Sequence, residues 1–169
     1  MTSSTWDTMA VRARVARRAV EVIGPVSWVV DDTGFAKDGK ASAGVARQYS
    51  GTLGKVANCQ VGVSVHTVTD VASCPLDWRL FLPESWDDAA VGDGLRSQVV
   101  SRRRRCGIGE QVRHRPKWLL AVDMIDELIG WGLEAPVITA DAGYGDNAHF
   151  RAALEQRGLS YVVQVKGAG

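Results

Sequence analysis

One segment constrains the fold more than any other. Residues 26–32 (VSWVVDD) form an apolar, β-branched run that stops abruptly on two aspartates. A run that is apolar at nearly every position, rather than at alternate ones, suits a central strand covered on both faces. Such a strand needs neighbours, and the rest of the chain supplies them in a definite order. In CQVGVSVHTVTD, Val61, Val63, Val65 and Thr67 alternate with Gly62, Ser64 and His66. After a turn at Thr69-Asp70, CPLDWRLFLP repeats the alternation at Leu76, Trp78, Leu80 and Leu82, so the two runs read as an antiparallel pair.

The periodicity then changes. From Lys117, WLLAVDMIDELIGWG has helical spacing with Gly132 as its stop, and Pro136 opens a further strand in VITADAGYGD. A second helix, NAHFRAALEQRG, has Asn147 as its N-cap and ends at Gly158, and YVVQVK is a last short strand. In front of everything, Ala10 to Ile23 place Val11, Val15, Ala19 and Val22 at helical spacing among arginines, ended by Gly24-Pro25. The Gly-, Lys- and Ser-rich stretch TGFAKDGKASAGVARQYSGTLGKVAN reads as loop or a loose hairpin, and PESWDDAAVGDG as a polar loop before an arginine run. The order β-β-β-α-β-α-β with a preceding helix predicts an α/β fold with a ribonuclease-H-like mixed sheet. A doubly wound fold would alternate helix and strand from the start.

Composition supports one globular domain over residues 1–169. The chain is 46% hydrophobic and 23% charged with a net charge of +1, which excludes disorder as its main state. No apolar run approaches the roughly 18 residues of a membrane span. The N-terminus turns basic where a signal peptide would turn apolar. Cys59, Cys74 and Cys106 include no CxxC, which argues against a zinc ribbon or a disulfide framework and fits a reducing cytoplasm.

Two strands end on aspartates: Asp31 and Asp32 on the first, Asp141 on the fourth. For Asp31 and Asp32 the structural alternative is an aspartate capping a turn before Thr33-Gly34. In the predicted sheet these strands are neighbours, so Asp31 and Asp141 face one another. Two carboxylates about 4 Å apart repel by roughly 4 kcal/mol at an effective dielectric near 20. A shared divalent cation relieves that repulsion, and an all-oxygen donor set selects Mg²⁺ or Mn²⁺. Such metals serve phosphoryl transfer.

The residues that carry this pattern extend into a resemblance. The stretches VVDDTGFAKDGKASAGVARQYSGTLGKVANCQVGVSVHTVTDVASCPLDWRLFLPESW and RHRPKWLLAVDMIDELIGWGLEAPVITADAGYGDNAHFRAALEQRGLSYVVQVKG resemble the core of IS701-like (IS4-type) DDE transposases of bacterial insertion sequences. The resemblance implies a ribonuclease-H-like domain with an Asp-Asp-Glu triad and Mg²⁺. It further implies cleavage and joining of DNA at the terminal inverted repeats of a mobile element, within the bacterial nucleoid. By position, the first aspartate falls in Asp31-Asp32-Thr33, with Asp31 preferred and Asp32 as the fallback metal ligand. The second is Asp141. The family's Glu lies on a helix after the last strand, whereas this chain stops at Gly169. The expectation is therefore a catalytic core truncated at both ends, its final helix missing. Glu84, Glu110 and Glu155 fall outside the expected place. A stand-alone nuclease, or a non-catalytic remnant that binds DNA or dimerises with a full-length copy, are the alternatives.

For DNA contact, the unbroken Arg102, Arg103, Arg104 and Arg105 is the leading candidate, against a solvated basic loop. Lys37 and Lys55, in the Gly-rich loops, are candidate phosphate contacts. GTLGK lacks the first glycine of a P-loop and its Ser/Thr, and no GxSxG occurs. His66, His114 and His149 lack ligand spacing and read as packing or surface residues. Trp78, Trp86, Trp118 and Trp131 suit packing better than base stacking.

Overall fold

The first helix starts where a side chain can satisfy its free amides. In the computed structural model, which describes residues 6–52 and 54–167, Asp7 accepts from the N–H groups of Met9 and Ala10, both at 3.0 Å. Helix α1 (Thr8–Ile23) follows, and Gly24 closes it with a left-handed φ of 59°. The face it buries is not the expected one. Ala13 and Ala16 are buried, whereas Val11, Val15 and Val22 are exposed. The cause is Arg12, which grips Asp77 at 3.1 and 2.7 Å and Glu127 at 2.8 Å, with its guanidinium 5.3 Å from the Trp131 ring. Asp77 is almost wholly buried, and a carboxylate taken out of water needs its charge matched. That demand sets the helix's rotation.

A six-stranded mixed sheet follows. Strand β1 (Ser27–Ala36) pairs in parallel with β5 (Ile138–Ala140), and β5 with β6 (Tyr161–Val163). On its other edge β1 runs antiparallel to β3 (Lys55–Val68), from the Val26 N–H on the Val68 carbonyl to the Lys37 N–H on the Asn58 carbonyl. The sheet order is β2-β3-β1-β5-β6, with β4 (Ser73–Leu80) also paired to β3. Because β1 occupies one edge of β3 along that length, β2 (Ala46–Ser50) and β4 share the other. The predicted antiparallel trio is β1, β3 and β4, and the predicted parallel pair is β5 and β6. The fold is a mixed α/β arrangement of the ribonuclease-H-like kind.

Two elements lie where the sequence pattern is weak, β2 in the stretch read as loop or a loose hairpin and α2 at the arginine run after a polar loop. Strand β2 (ARQYS) pairs with β3 in register Ala46↔Cys59 to Ser50↔Lys55. It is a short, polar edge strand and so carries little hydrophobic signal. Helix α2 (Asp93–Arg105) contains the arginine run, so the run is helical. Helices α3 (Lys117–Gly130) and α5 (Ala148–Gln156) and the single turn α4 (Ala142–Gly145) complete the set. Asn147 caps α5 as predicted, accepting from His149 and Phe150. Gly132 and Gly158 take positive φ after α3 and α5, where glycine costs least.

The chain divides into two compact units. One combines the chain up to Asp31 with Ser64–Trp78 and everything from Ala121 onward. Its core includes Trp28, Val30, Val65, Met124, Ile138 and Phe150, all buried. The other, Asp32–Val63 with Arg79–Leu120, centres on Val61, Val63, Leu82, Val99 and Trp86, whose indole N–H donates to the Val45 carbonyl at 2.7 Å. Among the described residues no helix is long and apolar enough to cross a membrane.

Candidate active site

In the first unit, strand register decides which carboxylates meet. Residues Trp28, Val29 and Val30 of β1 stand opposite Ile138, Thr139 and Ala140 of β5. One step further along the same two strands are Asp31 and Asp141. Side chains alternate faces along a strand, so Asp31 shares a face with Ser27 and Val29, and Asp141 with Thr139. The Ser27 and Thr139 hydroxyls lie 3.0 Å apart, which puts these odd-numbered positions of both strands on one face. Asp31 and Asp141 are both exposed, but only Asp141 follows a strand end; β1 does not stop at Asp31 and Asp32 as expected and runs on to Ala36, so Asp31 lies in its middle. Alternation turns Asp32 to the opposite face, where its carboxylate accepts from the Lys117 ammonium at 2.7 Å.

Asp141 is held from behind. Its Oδ1 accepts from the Gly143 N–H at 2.9 Å as the cap of α4. Gly145 allows α4 to press on the chain after β6, since a Cβ there would lie 2.0 Å from the Gln164 carbonyl oxygen. Arg151 donates to the Gly145 carbonyl, and the Lys166 N–H donates to Asp146 at 2.8 Å. On the other side, the Ser64 hydroxyl donates to the main-chain carbonyl of Asp31 at 3.3 Å.

His66 belongs to this neighbourhood, although its spacing gives no reason to single it out. On β3 it alternates with Val63, Val65 and Thr67, which are wholly buried, and so stands with Ser64 on the opposite face. Its Nδ1 lies 3.2 Å from the Ser73 hydroxyl, and its ring meets Trp78 edge-on at 5.8 Å. Burial holds the imidazole below its ordinary pKa, and the negative charge of Asp31 works against that shift. The polar half of the β3 alternation is the sequence signal that points to Ser64 and His66.

The donor set available to a metal is two oxygens-only side chains, Asp31 and Asp141. Among the described residues no group of three or more His, Cys, Asp or Glu is placed to hold an ion. Of the three glutamates set aside from the sequence, Glu155 accepts from the Tyr161 hydroxyl at 2.6 Å and Glu84 lies 3.7 Å from His114. Two carboxylates offer oxygen donors alone, the chemistry a hard cation takes, and do not make a closed three-carboxylate cage.

The basic residues singled out from the sequence lie in the second unit, and their arginine run is divided by environment. Arg103 has a side chain only 5% exposed, with its donors on the carbonyls of Trp86 (2.8 Å), Gly109 (2.9 Å) and Val112 (2.5 Å) and its Nε 3.3 Å from Asp88. It is a buried strut tying these carbonyls together. Arg102 lies 3.9 Å above the Trp86 ring and donates to the Ser85 carbonyl at 2.5 Å. Arg104 and Arg105 are exposed beside Ser97, Gln98 and Ser101. Lys37 is tied at the end of β1, its carbonyl accepting from the Asn58 amide at 2.6 Å, and Lys55 is exposed at the start of β3. Trp86 is core, as expected.

The chain resembles known proteins over its whole length. A family model described as DDE superfamily endonuclease matches residues 1–168. A curated relative from Microchaete diplosiphon, "Probable transposase for insertion sequence element IS701", is 27% identical over 169 residues, covering 98% of this chain and 39% of the relative. The chain thus spans well under half the length of that protein. No solved structure matches significantly. With a family model matched over nearly every residue and a mixed sheet to suit it, the chain belongs to the DDE superfamily endonucleases.

Proposed function

We propose that this chain is the catalytic core of an insertion-sequence transposase, a single ribonuclease-H-like unit of function spanning residues 1–169. It would cleave and join DNA at the ends of a mobile element in the bacterial cytoplasm. The observation that supports the reading is the β1–β5 register, Trp28↔Ile138 to Val30↔Ala140, whose continuation by one residue on each chain reaches Asp31 and Asp141. Asp31 and Asp141 would hold Mg²⁺ or Mn²⁺, and the turn of Asp32 toward Lys117 supports Asp31 over its neighbour as the ligand. When bound, a divalent ion supplies Lewis acidity toward a phosphoryl oxygen and a water of lowered pKa. The chain's own residues do the positioning. Ser64 anchors the Asp31 main chain, and the α4 cap holds the Asp141 carboxylate.

DNA is the partner this reading requires, with a second copy or a longer transposase as a further one. Arg104 and Arg105 are the members of the run free to reach phosphates, helped by Lys37 and Lys55. Each phosphate neutralised releases counterions and gives salt-sensitive binding without sequence choice. The test is calorimetric titration with Mn²⁺ beside a plasmid-nicking assay. Binding near one equivalent that Asp31→Ala and Asp141→Ala both abolish, and that Asp32→Ala leaves intact, supports the reading. Binding that survives the loss of Asp141 overturns it. Salt-dependent DNA binding without any metal binding would favour the non-catalytic remnant.

A further inference from the structure

We propose that the second unit holds a single strand of DNA on the exposed face of β2 and β3, a phosphate in a basic cleft and a base on Tyr49. This site rests on the reading of DNA as the partner and names the form of DNA it takes. The cleft, of about 450 Å³, is lined by Asp38, Lys40, Arg47, Asn58, Ser85 and Arg102, so three cations face one carboxylate. Among the described residues none of the three cations is paired with an acid. These residues, with Tyr49, Val56 and Trp86, all belong to one compact unit.

The walls of the cleft are fixed by contacts within the unit. Arg102, on α2, lies 3.9 Å from the Trp86 ring and donates to the Ser85 carbonyl, so its charge is held at one wall. The same indole donates to the Val45 carbonyl and locates the start of β2, with Arg47 two residues on. The loop that carries Lys40 is tied on both sides. The Asn58 amide donates to the Gly39 carbonyl at 2.9 Å, and the Cys106 thiol to the Ala41 carbonyl at 3.0 Å. Lys40 and Arg47 are exposed and have the reach to close on an anion, while Arg102 adds fixed charge behind them.

The neighbouring surface selects the kind of anion. The register Arg47↔Asn58 and Tyr49↔Val56 puts these four residues on one face of the sheet, at its β2 edge. Tyr49 is 60% exposed and Val56 50%, which makes an apolar shelf beside the cations. Two residues along a strand advance by roughly 6.7 Å, so the shelf begins within one nucleotide's reach of Arg47. A ligand that satisfies both parts has flat apolar faces strung on an anionic backbone. In a duplex the base faces are stacked on one another, whereas in a single strand they are free to stack on an aromatic ring while cations track the phosphates.

Fluorescence anisotropy of a labelled thymidine homo-oligonucleotide, titrated with the full chain in EDTA, tests the site without any metal. Tyr49→Ala should weaken binding about five- to a hundredfold at an unchanged salt slope, and Tyr49→Phe should recover most of the loss. Lys40→Ala and Arg47→Ala together should flatten the salt slope by about 0.7 for each phosphate no longer neutralised. A duplex, with its bases enclosed, should bind Tyr49→Ala and the wild type alike. All three side chains are exposed, so thermal melting of the variants should match the wild type. Wild-type affinity for the single strand in Tyr49→Ala, or an equal loss for the duplex, overturns the stacking surface and leaves DNA as the partner. An unchanged slope in the Lys40 and Arg47 double variant overturns the cleft. A chain that binds neither form of DNA refutes the DNA partner itself, and this site with it.

Discussion

Replacing Arg103 by alanine tests whether the arginine run is a DNA-binding surface or in part a folding element. The guanidinium makes hydrogen bonds to three carbonyls and lies near Asp88. Asp88 keeps Arg113 at 2.8 Å, so removing Arg103 from its side counts for little. The Trp86 carbonyl is buried against Arg103 and is left without its donor, which costs about 1–3 kcal/mol. The Gly109 and Val112 carbonyls are partly exposed, and water can replace the donor there, so each contributes about 0.5–1 kcal/mol. The sum is about 3 kcal/mol, more than a hundredfold in the folding equilibrium. Urea denaturation followed by far-UV circular dichroism should show the midpoint falling at an unchanged slope. Arg103→Lys should recover less than half of that stability, since one ammonium cannot span three carbonyls in a fixed fork. Alanine at both Arg104 and Arg105 should change stability by less than about 0.5 kcal/mol. The same pair should flatten the salt dependence of DNA binding by up to about 0.9 for each phosphate no longer neutralised. An Arg103→Ala chain as stable as wild type, or one whose salt slope falls as much as that of the double variant, refutes the assignment.

Other outcomes follow from the same structure. Burial raises the pKa of Asp87, but the N–H groups of His114 and Ala89 and the Arg113 guanidinium outweigh it and leave the group below the ordinary carboxylate range. A depressed folded pKa gives stability that is complete above about 3.9 and lost as pH falls through the folded value, so Asp87→Asn should reduce the acid sensitivity measured by denaturation between about pH 4 and 2. Gly145→Ala should lower the melting temperature and weaken Mn²⁺ binding together, because a Cβ 2.0 Å from the Gln164 oxygen must push α4 and its cap away. A variant that melts like wild type would show that α4 yields freely. On α1, Arg12→Ala should cost about 2–3 kcal/mol through the buried Asp77, whereas Val15→Ser on the exposed side should cost less than about 0.5 kcal/mol; equal losses in urea titration would restore the valine face as the packed one.

Much of the architecture is legible along the chain because local rules suffice for it. Asn147 as a cap, the stops at Gly24, Gly132 and Gly158, and the period-two runs of β3 and β4 are each written within a few residues. The β-β-β-α-β-α-β order follows from them, as does the placing of Asp141 just after a strand, whereas β1 runs past Asp31 and Asp32 to Ala36. Strand β2 is legible only as one arm of a loose hairpin because a polar edge strand has no buried face to impose a pattern. Helix α2 escapes because consecutive arginines advertise charge and conceal the stem of Arg103 that the fold encloses.

What the tertiary structure alone decided is direction. Periodicity says that Asp31 and Asp32 point to opposite faces, yet only the pairing with β5 and the ion pair with Lys117 tell which face meets Asp141. It says that α1 has an apolar stripe, yet Arg12, drawn to a buried carboxylate 65 residues away, turns that stripe outward. His66 likewise acquires its place from Ser73 and Trp78, neither of them adjacent in sequence. Local preferences amount to tenths of a kcal/mol per residue, whereas leaving a buried charge or carbonyl unmatched costs several. The chain's sequence therefore determines which elements form, and long-range charge matching determines which of their faces become the site.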